Sequence, residues 1–225
     1  MVDPRPTHQR ITAELRALIM DGSVTGKLPS AAALTAQFGV TNPTITKALK
    51  ALHNEGLTDP RPGTAVFVLD REPPPVGADP FPAGLRYTAV KIEPVERPPG
   101  DVAAALGGDQ LMVCVQLGYD GYTPVELRYT YLPLDVGHLL DVRERTTLPD
   151  LPALLTEAGT PPRAYLDDMT VREPTSAELE SLQLPADISI VRTLRTYSAG
   201  KRVLGVDEIY IGAHDYRTRR AGRFT

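Results

Sequence analysis

Asn42, Thr44, Thr46, Lys47 and Lys50 form the stretch of this chain whose residue types and spacing most clearly suit recognition chemistry. An amide such as Asn42 offers a donor and an acceptor side by side, which matches the edge of an adenine, while lysine ammonium groups suit phosphate oxygens. Interleaved with them, Ile45, Ala48, Leu49 and Leu52 recur at three- and four-residue steps. A helix over this stretch would bury the apolar set and turn the polar set outward. For Thr44 and Thr46 the alternative is plain solvation of an exposed helix face. Thr41 stands where such a helix needs a cap, and Pro43 falls in its first turn, where a missing N–H costs nothing. Gly56 ends it just after Glu55.

The neighbouring residues supply what would hold that helix in place. Ser30, following the rigid Leu28-Pro29 pair, caps a preceding helix that carries Leu34 and Phe38 inward and stops at Gly39. An earlier helix over residues 7–22 shows an apolar stripe of Ile11, Leu15, Leu18 and Ile19. Downstream, Arg61-Pro62-Gly63-Thr64 makes a hairpin tip before a strand Ala65–Val68. Helix, helix, tight turn, helix and β-wing together read as a winged helix-turn-helix, with the residue 42–55 helix shaped for a major groove. Ser30, Thr41, Arg61, Gly63 and Thr64 join the candidate contacts, the wing residues lying along phosphates.

On these residues the first seventy positions resemble the GntR family of bacterial repressors. The resemblance rests on Gly26-Lys27-Leu28-Pro29-Ser30, Gly39-Val40-Thr41-Asn42-Pro43-Thr44, Ala48-Leu49 with Leu52 and Glu55-Gly56-Leu57, and Arg61 with Gly63 and Phe67-Val68. Three positions where the family usually carries arginine are here Ala32, Asn42 and Thr46. Arginine is the usual bidentate reader of guanine, so an altered operator or weaker binding is expected.

Charge bears on the same question. The 225 residues carry 24 Lys/Arg and 28 Asp/Glu, a formal net charge of −4. Residues 1–70 hold seven basic residues against six acidic ones and the remainder is net acidic, so the excess that could meet phosphates is small. A dimer would then be needed for useful affinity. A composition 42% hydrophobic suffices for packed cores. No apolar run of about eighteen residues exists, and the first residues lack a short apolar export segment, so a bacterial cytoplasmic location is expected. The single cysteine, Cys114, lies in an apolar run and is read as a buried small hydrophobe.

Residues 71–82 are rich in Pro, Gly and Asp and read as a semi-rigid linker. Beyond it the spacing changes to strands in two similar halves. The first has a helix at 101–106, a strand at 111–117, the turn Asp120-Gly121 and a strand at 125–132. The second has a helix at 176–182 capped by Thr175 or Ser176, a strand at 188–197, the turn Ala199-Gly200 and a strand at 203–211. A helix at 151–158 and a strand at 164–171 lie between them.

This order resembles the UTRA domain of the HutC subfamily of GntR regulators, whose fold is similar to chorismate lyase. Asp120-Gly121, Pro124-Val125, Tyr131-Leu132-Pro133, Leu151 with Leu154-Leu155, Gly159, Ala177-Glu178, Leu182, Leu184-Pro185, Arg195, Tyr197, Gly200 and Tyr210 carry the likeness. It implies an α+β protein: a winged helix-turn-helix at 1–70, the linker at 71–82, an antiparallel sheet with helices at 83–216 for effector binding and dimerisation, and a basic tail at 217–225. The partners implied are double-stranded DNA with an approximately palindromic operator, a small-molecule effector and a second copy of the chain. No cofactor, metal or membrane contact is implied.

The effector contacts implied are Gln116, Arg128, Arg195, Asp207 and Tyr210. Gln116 stands where the family commonly has arginine, and Arg128 where it commonly has glutamate. Arg128 is read either as the partner of a carboxylate or phosphate ligand or as a cross-strand partner of Glu126, Asp207 or Glu208. Tyr129 and Tyr131 are expected in the core or a dimer interface. His8, His53, His138 and His214 are scattered, and no nucleophile elbow or phosphate loop is present, so no catalytic residue is assigned. Two other readings stay open: a plasmid- or mobile-element-type repressor with a ligand-free second domain, and, remotely, a lyase-like enzyme.

Overall fold

The computed structural model describes residues 4–61, 65–69, 78–79, 81, 84–107, 110–134, 136, 150–185, 188–214 and 216. The chain divides into two compact units, Met1–Val76 and Gly77–Thr225. Most of the expected linker, the wing tip Pro62-Gly63-Thr64, His138 and the tail at 217–225 lie outside the described residues.

The first unit has helices α1 (Thr7–Met20), α2 (Ala31–Phe38) and α3 (Asn42–Asn54), then strands β1 (Thr58–Arg61) and β2 (Ala65–Val68). Ser30 Oγ accepts the Ala33 N–H at 3.2 Å and Gly39 ends α2 in the left-handed region at φ 63°, as the cap residues require. Thr41 is the N-cap of α3 but does not cap through its side chain. Its hydroxyl meets that of Thr44 at 3.0 Å instead, so the expected capping bond is replaced by a link between two hydroxyls. Ile11, Leu15, Leu34, Ile45, Ala48, Leu52 and Leu57 form one core.

A buried ion pair locks the two ends of this core together. Arg16 on α1 grips Glu55, the residue closing α3, through Nε–Oε2 at 2.7 Å and Nη2–Oε1 at 2.8 Å, and the Glu55 side chain has no exposure. Strand β1, which residue alternation did not reveal, pairs antiparallel with β2 from Thr58↔Val68 to Arg61↔Ala65. The chain at Gly26–Leu28 adds a further rung, since Leu28 N–H donates to Val66 O.

The second unit is a six-stranded antiparallel sheet in the order β3-β4-β5-β8-β7-β6. Its strands are β3 (Arg86–Val95), β4 (Leu111–Asp120), β5 (Thr123–Pro133), β6 (Ala164–Arg172), β7 (Ile190–Ala199) and β8 (Arg202–Gly212). Helices α4 (Gly100–Leu106), α5 (Leu151–Glu157) and α6 (Ser176–Leu182) complete it; Thr175 caps α6 in a full capping box with Glu178. The repeat is larger than residue spacing suggested. Each half is strand, helix, hairpin, namely β3-α4-β4-β5 and β6-α6-β7-β8, and the halves meet where β5 pairs with β8.

Strand β3 escaped the sequence reading for a local reason. A bulge between Ala89 and Lys91 switches the phase, so Tyr87 and Ala89 share a face with Ile92 and Pro94 and the period-two pattern breaks at Val90. One face of the sheet receives Leu151, Leu154 and Leu155 of α5 over Met112, Cys114, Leu132 and Tyr197. The other receives Val102 of α4 over Val113, Tyr131 and Val206, and Leu182 of α6 over Leu127 and Ile190.

Breaking the ion pair of the first unit leaves a buried carboxylate without its partner. Arg16→Met should destabilise that unit by about 3–5 kcal/mol, whereas Arg16→Met with Glu55→Leu should recover most of the loss. Urea unfolding checks both, and equal losses in the two variants would contradict the argument.

Candidate nucleic-acid interface and sheet-face polar cluster

Helix α3 presents Asn42, Thr46, Lys47 and Lys50 as exposed side chains, opposite buried Ile45, Ala48 and Leu52. The threonines differ from the free donors the sequence suggests. Thr46 Oγ1 donates to Asn42 O at 3.0 Å, so its lone pairs remain for an outside donor while its proton is engaged, and Thr44 is paired with Thr41. Ser30 is used as a cap. Arg61 stacks on the Phe67 ring at 4.6 Å and is 66% exposed, which holds its guanidinium at the wing's surface. Gly63 and Thr64 lie outside the described residues. Arg16 is taken out of the surface charge by Glu55, so the basic excess available to phosphates rests on other residues.

The expected effector residues do not all fall together. Gln116, Arg128, Asp207 and Arg195 share one face of the sheet, whereas Tyr210 lies on the opposite face, where its hydroxyl donates to Glu208 at 2.8 Å and its ring meets Tyr129. Period two explains the split: 207 and 210 have opposite parity on β8. Arg192 completes that other network, with Nε on Glu208 at 2.7 Å and Nη2 on Asp101 at 2.6 Å.

On the first face the polar groups form a chain across the strands. Tyr87 on β3 donates to Glu126 Oε1 at 2.9 Å, reaching over Gly118 of β4, where any Cβ would come within 2.9 Å of the tyrosine ring. Arg128 donates from Nε to the same Glu126 oxygen at 2.7 Å and from Nη2 to Tyr87 Oη at 3.0 Å, and its Nη1 lies 3.6 Å from Asp207 Oδ2. Asp207 in turn accepts from Thr130 at 2.6 Å and from Tyr197 at 3.2 Å. Arg195 is held bidentately by Asp167, at 2.7 and 2.8 Å, and again by Asp79, at 2.7 and 3.3 Å.

Of the open readings for Arg128, carboxylates of the chain itself are the groups present, Asp207 across on β8 and Glu126 two residues earlier on β5, while Glu208 points the other way. Sequence reasoning missed Asp79, Tyr87, Thr130 and Asp167. Asp79 stands 116 residues from its arginine and was assigned to the linker, so no local signal could have joined them. Glu126 Oε2 is buried with no hydrogen-bond partner among the described residues.

Burial dominates the electrostatics here. It pushes the Asp207 carboxyl above its ordinary value against the pull of Arg128, Thr130 and Tyr197, and it pushes the Cys114 thiol up to about 12, which keeps it protonated. Burial and Glu126 raise Tyr87, fixing it as a donor. A separate open depression of about 390 Å³ lies on the opposite face, between Val90, Glu93, Val115, Tyr129 and Tyr131, away from the arginine chain. Tyr131 is buried and half-buried Tyr129 lines that depression.

Because the folded carboxyl of Asp207 binds its proton more tightly than the unfolded one, folding is favoured as pH falls and opposed as it rises above the ordinary 3.8. Wild type should lose stability relative to Asp207→Asn as pH rises through the window from 3.8 to the raised value, by about 1.4 kcal/mol per pH unit. Urea unfolding across pH reads this, and parallel curves would exclude it.

Comparison with known proteins places these observations. Residues 7–68 match the family model described as bacterial regulatory proteins, gntR family. No curated protein matches the chain. Among solved structures, PhnF from Mycobacterium smegmatis is similar over 96% of this chain and 100% of its own, at 18% identity and TM-score 0.59. The C-terminal domain of the histidine utilization repressor from Pseudomonas syringae pv. tomato is similar over 62% of this chain and 99% of its own, at 16% identity and TM-score 0.50. The ligand-binding domain of a protein assigned to the GntR-family transcriptional regulators, from Bordetella bronchiseptica, covers 64% of this chain and 95% of its own, at 15% identity and TM-score 0.52. At these identities the likeness is one of fold.

Proposed function

Residues 7–68 match the gntR family model, and from that premise we propose that the chain is a GntR-type transcriptional regulator, a homodimeric repressor whose grip on an approximately palindromic operator is set by a small molecule bound in the second unit. The observation that carries the DNA-binding part is the two-sided α3, apolar and buried through Ile45, Ala48 and Leu52, polar and exposed through Asn42, Lys47 and Lys50. In this reading Asn42 reads a base edge, while Lys47, Lys50 and Arg61 hold phosphates. Few positive charges per copy make two copies on paired half-sites the natural route to affinity. The protein would work in the bacterial cytoplasm; no helix among the described residues is long and apolar enough to cross a membrane.

The effector part rests on the gathering of two guanidinium groups, Arg128 and Arg195, on one face of the sheet, where burial strengthens their pull on an anion. A specific observation also favours the second reading, a ligand-free repressor of plasmid or mobile-element type: Arg128 and Arg195 both already hold carboxylates of their own chain. The two part on whether any small molecule changes operator affinity.

Selection of bound genomic fragments, followed by mobility shift, tests the proposal. Asn42→Ala should lose about 1–3 kcal/mol of discrimination at one base position in each half-site, while Lys47→Ala should weaken all sequences alike and lower the salt slope. Sedimentation should show a dimer. Wild-type discrimination by Asn42→Ala on every operator variant would remove Asn42 as a base reader, and the absence of any retarded fragment would remove the proposal.

A further inference from the structure

Arg195 has the surroundings of a filled anion site. Its side chain is 7% exposed and packed between two aromatic rings, Tyr165 at 4.3 Å and Phe81 at 4.6 Å from the guanidinium carbon. Two carboxylates occupy its edges. Asp167, from the adjacent strand β6, is itself 13% exposed and belongs to the sheet. Asp79 is different: it is 52% exposed and sits on the segment before β3, outside the six strands. Asp79 Oδ2 accepts from Arg195 Nη1 at 2.7 Å and Oδ1 from Nη2 at 3.3 Å, while Oδ1 also accepts the Phe81 N–H at 3.3 Å. A carboxylate and an aryl ring two residues apart thus cover one guanidinium, and the ring also meets Tyr216 edge-on.

We infer that Asp79 and Phe81 are an internal occupant of a ligand site on Arg195, and that the molecule which displaces them is an aryl carboxylate. The chemistry of the occupant defines the class: an oxyanion accepting two N–H bonds from one guanidinium edge, joined to a ring that lies over the same cation. Exchange is feasible at Asp79 and not at Asp167, because only Asp79 can leave without unpairing a strand. The row has little room for an added anion, since Glu126, Asp207 and Asp167 already face Arg128 and Arg195 on the same face. Replacement of one carboxylate by another leaves that balance unchanged.

This inference rests on the reading of the chain as a DNA-binding regulator with an effector site in its second unit. Asp79 and Phe81 hold the segment that precedes β3 against the sheet, and a bound aryl carboxylate frees them from it. The signal has a path into the sheet, because Tyr197 lies between Arg195 and Asp207, and Asp207 faces Arg128.

The chain contains no tryptophan, so Phe81→Trp in the full-length protein gives a single reporter on the segment. Its acrylamide quenching should be low, should rise at least twofold when Asp79→Asn is added, and should rise to the same level when 3-phenylpropionate is titrated into the Phe81→Trp protein. By calorimetry, the Asp79→Asn protein with Phe81 intact should bind 3-phenylpropionate about tenfold more tightly than wild type, the ratio expected if the internal carboxylate fills the site about nine-tenths of the time. Propionate, which lacks the ring, should bind more weakly, and Arg195→Gln should not bind the probe. Unchanged quenching in the Asp79→Asn background, equal probe affinity in wild type and Asp79→Asn, or no probe binding by either, overturns the inference. None of these readouts involves DNA, so a protein that retards no fragment but passes them defeats the regulator reading alone, and one that retards operator but fails them defeats only this inference.

Discussion

A carboxylate with no solvent exposure at the middle of a sheet is the constraint around which the second unit is organised. Asp207 lies on β8, one of the two central strands, where an isolated charge would cost several kcal/mol even after relaxation. It is tolerated because β5, its neighbour, places Thr130 directly opposite and Arg128 two residues along the same face, while β7 adds Tyr197. Those partners have needs of their own. Arg128 brings Glu126, and Glu126 brings Tyr87, which requires a glycine at 118 for its ring to pass. The chain of requirements crosses from one central strand to the edge at β3, so the register of β3, β4, β5, β8 and β7 is specified by polar satisfaction as well as by hydrophobic alternation.

How much of this was legible in the sequence depended on the range over which each feature acts. Ser30, Gly39, Thr175 and the Asp120-Gly121 turn act within a few residues, and the helices and hairpins they bound are where the spacing placed them. Strand β3 was illegible because a bulge inverts its alternation midway, and β1 because Asp59, Pro60 and Arg61 are poor strand formers that pair only through the wing. Arg128 was legible as a residue that needs a carboxylate or phosphate beside it. Which anions they meet depends on contacts across 116 residues for Asp79 and 41 for Tyr87 with Arg128, and no local pattern encodes those. Tyr210 shows the same limit in miniature: a family motif placed it beside Asp207 in sequence, and strand parity sends it to the other face.

The first unit engages several of its polar residues internally. Arg16 is withdrawn into a buried pair, Ser30 into a cap, Thr41 and Thr44 into each other and Thr46 into its own helix backbone. Positions where the GntR family usually carries arginine are alanine, asparagine and threonine here. What remains toward solvent over Asn42–Lys50 of α3, besides the engaged Thr46, is one amide and two ammonium groups, a surface with a single bidentate base reader and little charge. Such a surface gains specificity only when doubled, because one good amide–base pair discriminates by about 1–3 kcal/mol and two on one operator add. In the proposed dimer, that sparse surface makes the spacing of one domain relative to a second copy the quantity worth regulating.

A sheet face already saturated with ion pairs can take up an anion only by giving one up. Adding an anion to a face where three sheet-borne carboxylates surround two guanidinium groups meets like-charge repulsion in a poorly solvated setting, and the Coulomb term grows as water is excluded. Exchanging one carboxylate for another meets no such barrier, because charge, hydrogen-bond count and ring contact are conserved and the free-energy difference reduces to tethering entropy against ligand concentration. A docked internal carboxylate thus sets the threshold concentration that an external one must exceed, and it does so without unpairing any strand of the sheet.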